Sequence, residues 1–143
     1  QWDTHANQLG GDLGARGHSA LLGNMAHNAD AFFTDLRQHN ISDNVTMLIY
    51  SEFGRRPQDN GSGTDHGAAG VSFVIGSRVK GGMYSTYPET RAEALDQGDL
   101  VPNVDFRSSY STVLEDWLKL DAVPIVNGSF EKLAFVGNGS NGA

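Results

Sequence analysis

The chain has 143 residues, of which 38% are hydrophobic and 19% charged, as is typical of a globular protein rather than a disordered one. Its formal net charge is −7, which argues against a general nucleic-acid-binding protein, because such proteins neutralise phosphates with lysine and arginine. It contains no cysteine, which excludes disulfides, thiolate catalysis and a cysteine-built zinc site. No apolar run reaches the roughly 18 residues of a membrane helix, so we expect no membrane insertion.

The two ends of the chain predict its organisation. It begins at Gln1 without an initiator methionine, so we expect the natural N-terminus to lie further upstream. Glycine contributes 18 residues, and several of them are concentrated at the C-terminal end, a composition typical of a flexible segment. We therefore predict a single α/β domain over residues 1–136 and a flexible tail over residues 137–143.

A helix is the clearest predicted element in the first half of the chain. Across residues 19–39, apolar side chains recur at alternating spacings of three and four, which places them on one helical face. These residues are Leu22, Met25, Ala29, Phe32 and Leu36. Asn40 marks the predicted helix end, and residues 45–50 then have the apolar composition of a short buried strand.

The next stretch, residues 51–70, is polar and rich in glycine, so we predict a long loop rather than a helix or strand. Loops of this length are usually functional or disordered. Residues 71–75 read as a second buried strand ended by Gly76. Residues 81–104 are predicted to be irregular, because Pro88 and Pro102 interrupt regular structure.

The last third of the chain predicts one helix and one strand. A helix over residues 106–120 is capped by Asp105, and an edge strand over residues 132–136 follows a turn at Asn127 and Gly128. The order of elements predicts an α/β fold, in which helices pack on a sheet of short parallel or mixed strands. In such sheets ligands bind beyond the carboxyl ends of the strands, where the loop after Tyr50 would lie.

Three short clusters of ionisable residues carry the candidate chemistry. They are Trp2-Asp3-Thr4-His5, Ser51-Glu52-Phe53-Gly54-Arg55 and Gly63-Thr64-Asp65-His66-Gly67. Carboxylate oxygens and imidazole nitrogens suit zinc or manganese without any thiolate. Asp3 and His5 are two residues apart and would project to the same side of an extended segment. Glu52 directly follows a predicted strand and would point into the crevice.

Each cluster also has an ordinary structural interpretation. An Asp-x-His pair is common in proteins, and Asp65 and Gly67 are typical turn residues. Glu52 beside Arg55 fits a surface ion pair that contributes little to stability. The presence of all three clusters in one small chain is what favours a metal site over these alternatives.

The three clusters occur in the same order as two further motifs, Val79-Lys80-Gly81-Gly82 and Asp105-Phe106-Arg107. Over residues 2–135 the chain thereby resembles the C-terminal part of the bacterial "domain of unknown function 1501" family. That family is grouped with the alkaline phosphatase and sulfatase superfamily. The resemblance implies that the chain is the C-terminal portion of a larger domain, an alkaline-phosphatase-like α/β/α sandwich with a metal centre beyond the sheet.

The resemblance also implies a set of site residues. The implied ligands of a divalent metal, zinc or manganese, are Asp3, His5, Glu52 and His66. Asp65 is expected to orient the ring of His66, and Arg55 to hold an anionic substrate group. The superfamily places Asp-His together at the strand end, whereas here Phe53 follows Glu52. Either Phe53 has replaced a ligand or Asp65-His66 is the shifted pair, and the position of Glu52 directly after a strand favours the first.

The function that this resemblance implies is a metal-dependent hydrolase of phosphate or sulfate esters, with this chain supplying the metal-ligand half. The nucleophilic serine or threonine of the superfamily belongs to an N-terminal half that precedes the matched region. A metal- or ligand-binding module without turnover and a purely structural half-domain are the competing functions. The expected partners are a small-molecule ester, a second copy of the chain or the N-terminal half, in a periplasmic or extracellular location.

Overall fold

The computed structural model describes residues 2–10 and 17–137. The chain divides into two compact units, each assembled from separate stretches. The first is formed by Gln1–Ser42, Tyr50–Ser72 and Glu89–Val101, and the second by Asp43–Ile49, Phe73–Pro88 and Pro102–Ala143. Each unit contains a helix and a two-stranded antiparallel sheet, so the fold is mixed α/β, as the sequence predicts.

Helix α1, His18–Gln38, lies in the first unit and matches the predicted helix to within one residue at each end. Asn40 follows it with a φ of 57°, a left-handed conformation that asparagine tolerates. The buried face agrees with the predicted one only in part, since Leu36 is buried as predicted but Leu22 and Phe32 are exposed. Phe33 and Leu36 are buried, whereas Phe32 is 43% exposed, because the face that packs inward is rotated by about one residue.

Strands β2, Gly54–Asp59, and β3, Thr64–Gly67, form an antiparallel hairpin in the first unit. The prediction of a loop over residues 51–70 is therefore wrong. The hairpin is held by hydrogen bonds across its strands and around its turn, where Asn60 Oδ1 accepts the backbone N–H groups of Ser62 and Gly63. Such a hairpin needs no alternation of apolar residues, so its polar sequence concealed it.

Strands β1, Met47–Ile49, and β4, Phe73–Ile75, pair in the second unit, at the two positions where strands are predicted. Both are shorter than expected, and Phe73 is 44% exposed rather than buried. The expectation of parallel or mixed strands is wrong, because the pair is antiparallel. A parallel connection requires a crossover element, usually a helix, and the segment between β1 and β4 forms a hairpin instead.

Helix α2, Phe106–Thr112, begins where predicted. Asp105 caps it, since its Oδ1 accepts the backbone N–H of Arg107 at 2.9 Å, and this prediction is confirmed. The predicted extension to residue 120 is wrong, because the chain continues as a wider π-helical turn over Val113–Trp117. A short helix α3, Val123–Val126, follows and was not predicted.

The C-terminal segment packs on α2 through a buried hydroxyl. Thr112 is fully buried, and its Oγ1 donates to Ser108 O and accepts the backbone N–H of Leu133. Because that N–H is satisfied by a side chain, the predicted edge strand over residues 132–136 is wrong, and a single bridge between Val136 and Val79 takes its place. Phe135, 2% exposed, anchors this segment in the core.

The flexible tail over residues 137–143 and the single domain over residues 1–136 stay predictions. Gly137, the first residue of the predicted tail, donates its N–H to Arg78 O at 2.7 Å, and residues 138–143 lie outside the described residues. Across residues 2–10 and 17–137, no helix combines the length and the apolarity that crossing a membrane requires.

Candidate metal centre

The N-terminal segment lies against the turn between β2 and β3. Asn7 and Gln8 donate backbone N–H groups to Ser62, at 2.7 Å to Oγ and 3.0 Å to the carbonyl oxygen. Asn60 Nδ2 donates to His5 O at 3.0 Å. These bonds bring the Asp-x-His pair of the N-terminus to a hairpin 55 residues further along the chain.

Gly63 permits this close approach. It is buried, and a Cβ built on it would overlap the carbonyl oxygens of Thr4 and His5. The first glycine of the Gly-Thr-Asp-His-Gly motif is therefore required because another backbone occupies the space of a side chain.

The register of the hairpin places Arg55 directly opposite His66. Residues that face each other across an antiparallel pair project to the same side of the sheet, so the guanidinium and the imidazole share one face. Arg55 Nη1 donates to Thr64 O at 2.8 Å, which holds the guanidinium along β3.

Three side chains converge on this face: Asp3, His5 and His66. One potential ligand atom from each lies within 4.8 Å of the other two, and all three residues are exposed. His66 Nε2 is 3.4 Å from Asp3 Oδ1. Two ligands of one tetrahedral zinc ion, each bound at roughly 2.0–2.1 Å, are separated by about 3.4 Å, so this pair fits a shared cation.

Asp65 contacts the cluster from the side through His5. Its Oδ1 is 2.9 Å from His5 Nε2 and accepts a hydrogen bond of 2.9 Å from Asn60 Nδ2. The Asn60 bond, with a further contribution from His5, holds the pKa of the Asp65 carboxyl below its usual range. A carboxylate on one ring nitrogen fixes the imidazole and leaves the other nitrogen, Nδ1 of His5, available to a metal.

Asp3 is paired with Arg55. Arg55 Nη2 donates to Asp3 Oδ1 at 2.7 Å, and the backbone N–H of His5 donates to the same oxygen at 3.2 Å. The guanidinium bond is the main reason that the pKa of Asp3 falls to about 2. Asp3 is therefore ionised at every pH at which the protein would work, as a metal ligand must be.

Phe53 stacks on His66. The ring centroids are 3.7 Å apart and the planes are inclined by 18°. This contact restricts tilting of the imidazole plane.

A family model described as "Protein of unknown function (DUF1501)" matches residues 1–114. The chain belongs to the DUF1501 family. The matched stretch contains the three clusters and every residue of the candidate metal centre, so the resemblance to DUF1501 is confirmed. No curated protein and no solved structure matches this chain.

In this DUF1501 chain the structure brings together three of the four predicted ligands. The fourth, Glu52, does not lie with Asp3, His5 and His66. Its side chain is exposed, and its Oε2 lies 3.4 Å from the Ser51 hydroxyl. Asp65 lies against the ring of His5, whereas the sequence pointed to His66. Arg55 lies beside the cluster, where it binds Asp3.

Sequence reasoning missed Asn60, which joins three parts of the site. Its side chain contacts His5 O, Asp65 Oδ1 and the turn backbone. The dipeptide Asn60-Gly61 is a strong turn signal between two metal-ligand motifs, and it could have revealed both the hairpin and this residue.

Proposed function

We propose that this chain supplies metal ligands to a metal-dependent hydrolase of phosphate or sulfate esters, of the alkaline phosphatase and sulfatase type. The proposal includes the finer placement of the chain as the C-terminal part of an α/β/α sandwich of that superfamily. The observation that supports it is the convergence of Asp3, His5 and His66, from segments about sixty residues apart, on one exposed face.

Zinc or manganese suits this set of ligands. Two imidazoles and one carboxylate are the ligands that a catalytic zinc site commonly uses, with a further position left for water or substrate. When bound, such a metal polarises an ester oxygen and stabilises the charge that develops on the transferred group. The exposure of the cluster leaves room for a small anionic ester.

The residues around that metal would have different roles. Asp3, His5 and His66 would hold it, and Asp65, 2.9 Å from His5 Nε2, would orient the ring of His5. Phe53 fixes the plane of the His66 ring. Arg55 adds a planar cation with five N–H donors, which matches the oxygens of a phosphate or sulfate group.

A zinc titration of the purified chain tests the metal site. We expect His5→Ala and His66→Ala each to lower zinc affinity at least tenfold, because each removes one ligand. His27→Ala is the matched control, since His27 is an exposed histidine on α1, and it should bind zinc as the wild type does. Wild-type affinity in both ligand variants would refute the site.

A binding module without turnover is the second candidate, and the hydroxyls next to the ligands favour it. Thr4 is only 4% exposed, and Thr64 Oγ1 is committed to Gln8 Oε1 at 2.8 Å. Neither is presented as a nucleophile. Assays of the zinc-loaded chain on phosphate and sulfate monoesters separate the two functions: hydrolysis that His66→Ala abolishes supports the enzyme, and zinc binding without hydrolysis supports the module.

A further inference from the structure

We propose that Arg55 is a built-in competitor for the metal. In the metal-free chain its guanidinium binds Asp3, and a divalent cation that takes Asp3 releases the guanidinium to bind an anionic oxygen. This inference rests on the proposed function, because it concerns the same cluster, and it adds how metal and anion binding depend on each other.

The competition follows from two distances to one oxygen. Asp3 Oδ1 lies 3.4 Å from His66 Nε2, the separation that a shared tetrahedral cation would need, and 2.7 Å from Arg55 Nη2. The oxygen that is positioned for the metal is therefore the one that the guanidinium already holds. A cation arriving there meets a positive charge at close range, and this lowers its affinity.

Arg55 is held beside the site by contacts that do not involve Asp3. Its Nη1 is bonded to Thr64 O at 2.8 Å, its position in β2 is opposite His66, and only 21% of its side chain is exposed. The displaced Nη2 therefore remains beside the cluster with an unused N–H donor. An oxyanion that contacts both the metal and this donor would relieve the repulsion between the two cations.

The neighbouring Arg56 provides a matched control. It follows Arg55 in β2, so its side chain projects to the opposite face of the strand, and its Nη1 reaches Gln97 O at 3.4 Å. Replacing it removes the same charge from the adjacent position without removing a bond to Asp3.

Calorimetric zinc titrations of the full chain at low ionic strength test the competition. We expect Arg55→Gln to bind zinc about two- to fivefold more tightly than the wild type, since an ion pair that is still partly exposed contributes modestly. Arg55→Lys, which keeps the charge, and Arg56→Gln should stay close to the wild type. Circular dichroism establishes that the variants are folded. Equal or weaker zinc binding by Arg55→Gln would show that Arg55 positions Asp3, and would overturn the inference.

A second test of the competition uses the wild type alone and so does not depend on whether a variant folds. In arginine side-chain NMR, saturating zinc should shift the guanidinium signals of Arg55 and leave those of Arg56 in place. Unchanged Arg55 signals at zinc saturation would overturn the inference while the proposed metal site stood. Absence of zinc binding by the wild type would instead refute the proposed function and this inference together.

Binding of an anion to Arg55 is tested by measuring zinc affinity in the presence of added anions. At constant ionic strength, sulfate or inorganic phosphate should raise the apparent zinc affinity of the wild type but not of Arg55→Gln, because coupling between two ligands is reciprocal. Equal effects of these anions on both proteins, or no effect on either, would overturn the assignment of an anion to Arg55.

Discussion

At the scale of single residues, Asp105 shows how one carboxylate serves two purposes. Its Oδ1 accepts the backbone N–H of Arg107, which caps α2, and both of its oxygens accept from the guanidinium of the same residue. These bonds, the guanidinium first, lower the pKa of Asp105 to about 2. Arg107 in turn lies over the ring of Phe130, with its central carbon 4.1 Å from the ring centroid. The Asp-Phe-Arg motif is therefore a structural motif in the second unit.

We expect Asp105→Ala to lower the melting temperature at pH 7 by about 3 to 5 °C, because it removes the helix cap and the ion pair. A carboxyl whose pKa is depressed on folding stabilises the protein above its unfolded value, here 3.8, and that contribution is lost as the pH falls through about 2. The difference in melting temperature should therefore shrink between pH 4 and pH 2. Thermal melts across this range check it.

Asp105→Asn is the matched control for this prediction. Asparagine still accepts the capping hydrogen bond but lacks the charge. At pH 7 the Asp105→Asn variant should therefore lose less stability than the Asp105→Ala variant. A melting-temperature difference for Asp105→Ala that is the same at pH 7 and pH 2 would contradict the assigned role of the charge.

At the scale of elements, the candidate site depends on the contact between a hairpin and a segment without regular structure. The hairpin β2–β3 supplies Arg55 and His66 in register, and the N-terminal segment supplies Asp3 and His5. Hydrogen bonds to the turn hold the two together, and Gly63 is the point of closest approach. The site should therefore be lost when this contact is lost, even if every ligand is still present.

We expect Gly63→Ala to displace the N-terminal segment, because the new methyl group overlaps the backbone of Thr4 and His5. Zinc affinity should fall at least tenfold, close to the effect of removing His5. Faster hydrogen exchange at the amide of Gln8, which bonds to Ser62 O, would report the displacement directly.

The control for this prediction is Gly23→Ala on α1. A Cβ at Gly23 meets nothing within 4 Å, so alanine should leave the site intact and stabilise the helix by about 0.5 to 1 kcal/mol. Unchanged zinc affinity and unchanged exchange at Gln8 in Gly63→Ala would show that the segment is not held as described.

At the scale of the whole molecule, the distribution of apolar side chains bears on association with other copies. Among the described residues, five hydrophobic side chains are buried and sixteen large ones are exposed. In the second unit, apolar side chains from β1, α2 and α3 line a concavity of about 550 Å³, among them Leu48, Tyr110 and Val126. A concave surface lined mainly by apolar side chains is typical of proteins that associate.

We expect the purified chain to self-associate as its concentration rises, because association removes exposed apolar side chains from water. Sedimentation velocity over a hundredfold range of concentration checks this expectation. Ile125→Lys, at the exposed rim of the concavity, should weaken association more than Met83→Lys, which replaces an exposed residue elsewhere in the same unit. A single monomeric species throughout the range would contradict the prediction.

The sequence by itself determined what depends on local patterns. Helix α1, the cap at Asp105, and the positions of β1 and β4 follow from short-range periodicity, a capping preference and short apolar runs. The motif residues Asp3, His5 and His66 could be selected because metal chemistry restricts ligands to a few residue types. Family membership followed from the order of the motifs.

Only the tertiary structure decided what depends on distant contacts. The strands of the β2–β3 hairpin are polar, so apart from its Asn-Gly turn no local pattern marks them, and the N-terminal segment that binds the turn through Gln8 lies far away in the sequence. The same contacts place His66 beside Asp3. They leave Glu52 outside the cluster, although its position just after the predicted strand over residues 45–50 had made it a candidate ligand. They also set Asp65 against His5 rather than His66. Which side chains share a site is fixed by register and by the approach of separate segments, and these are long-range properties of the folded chain.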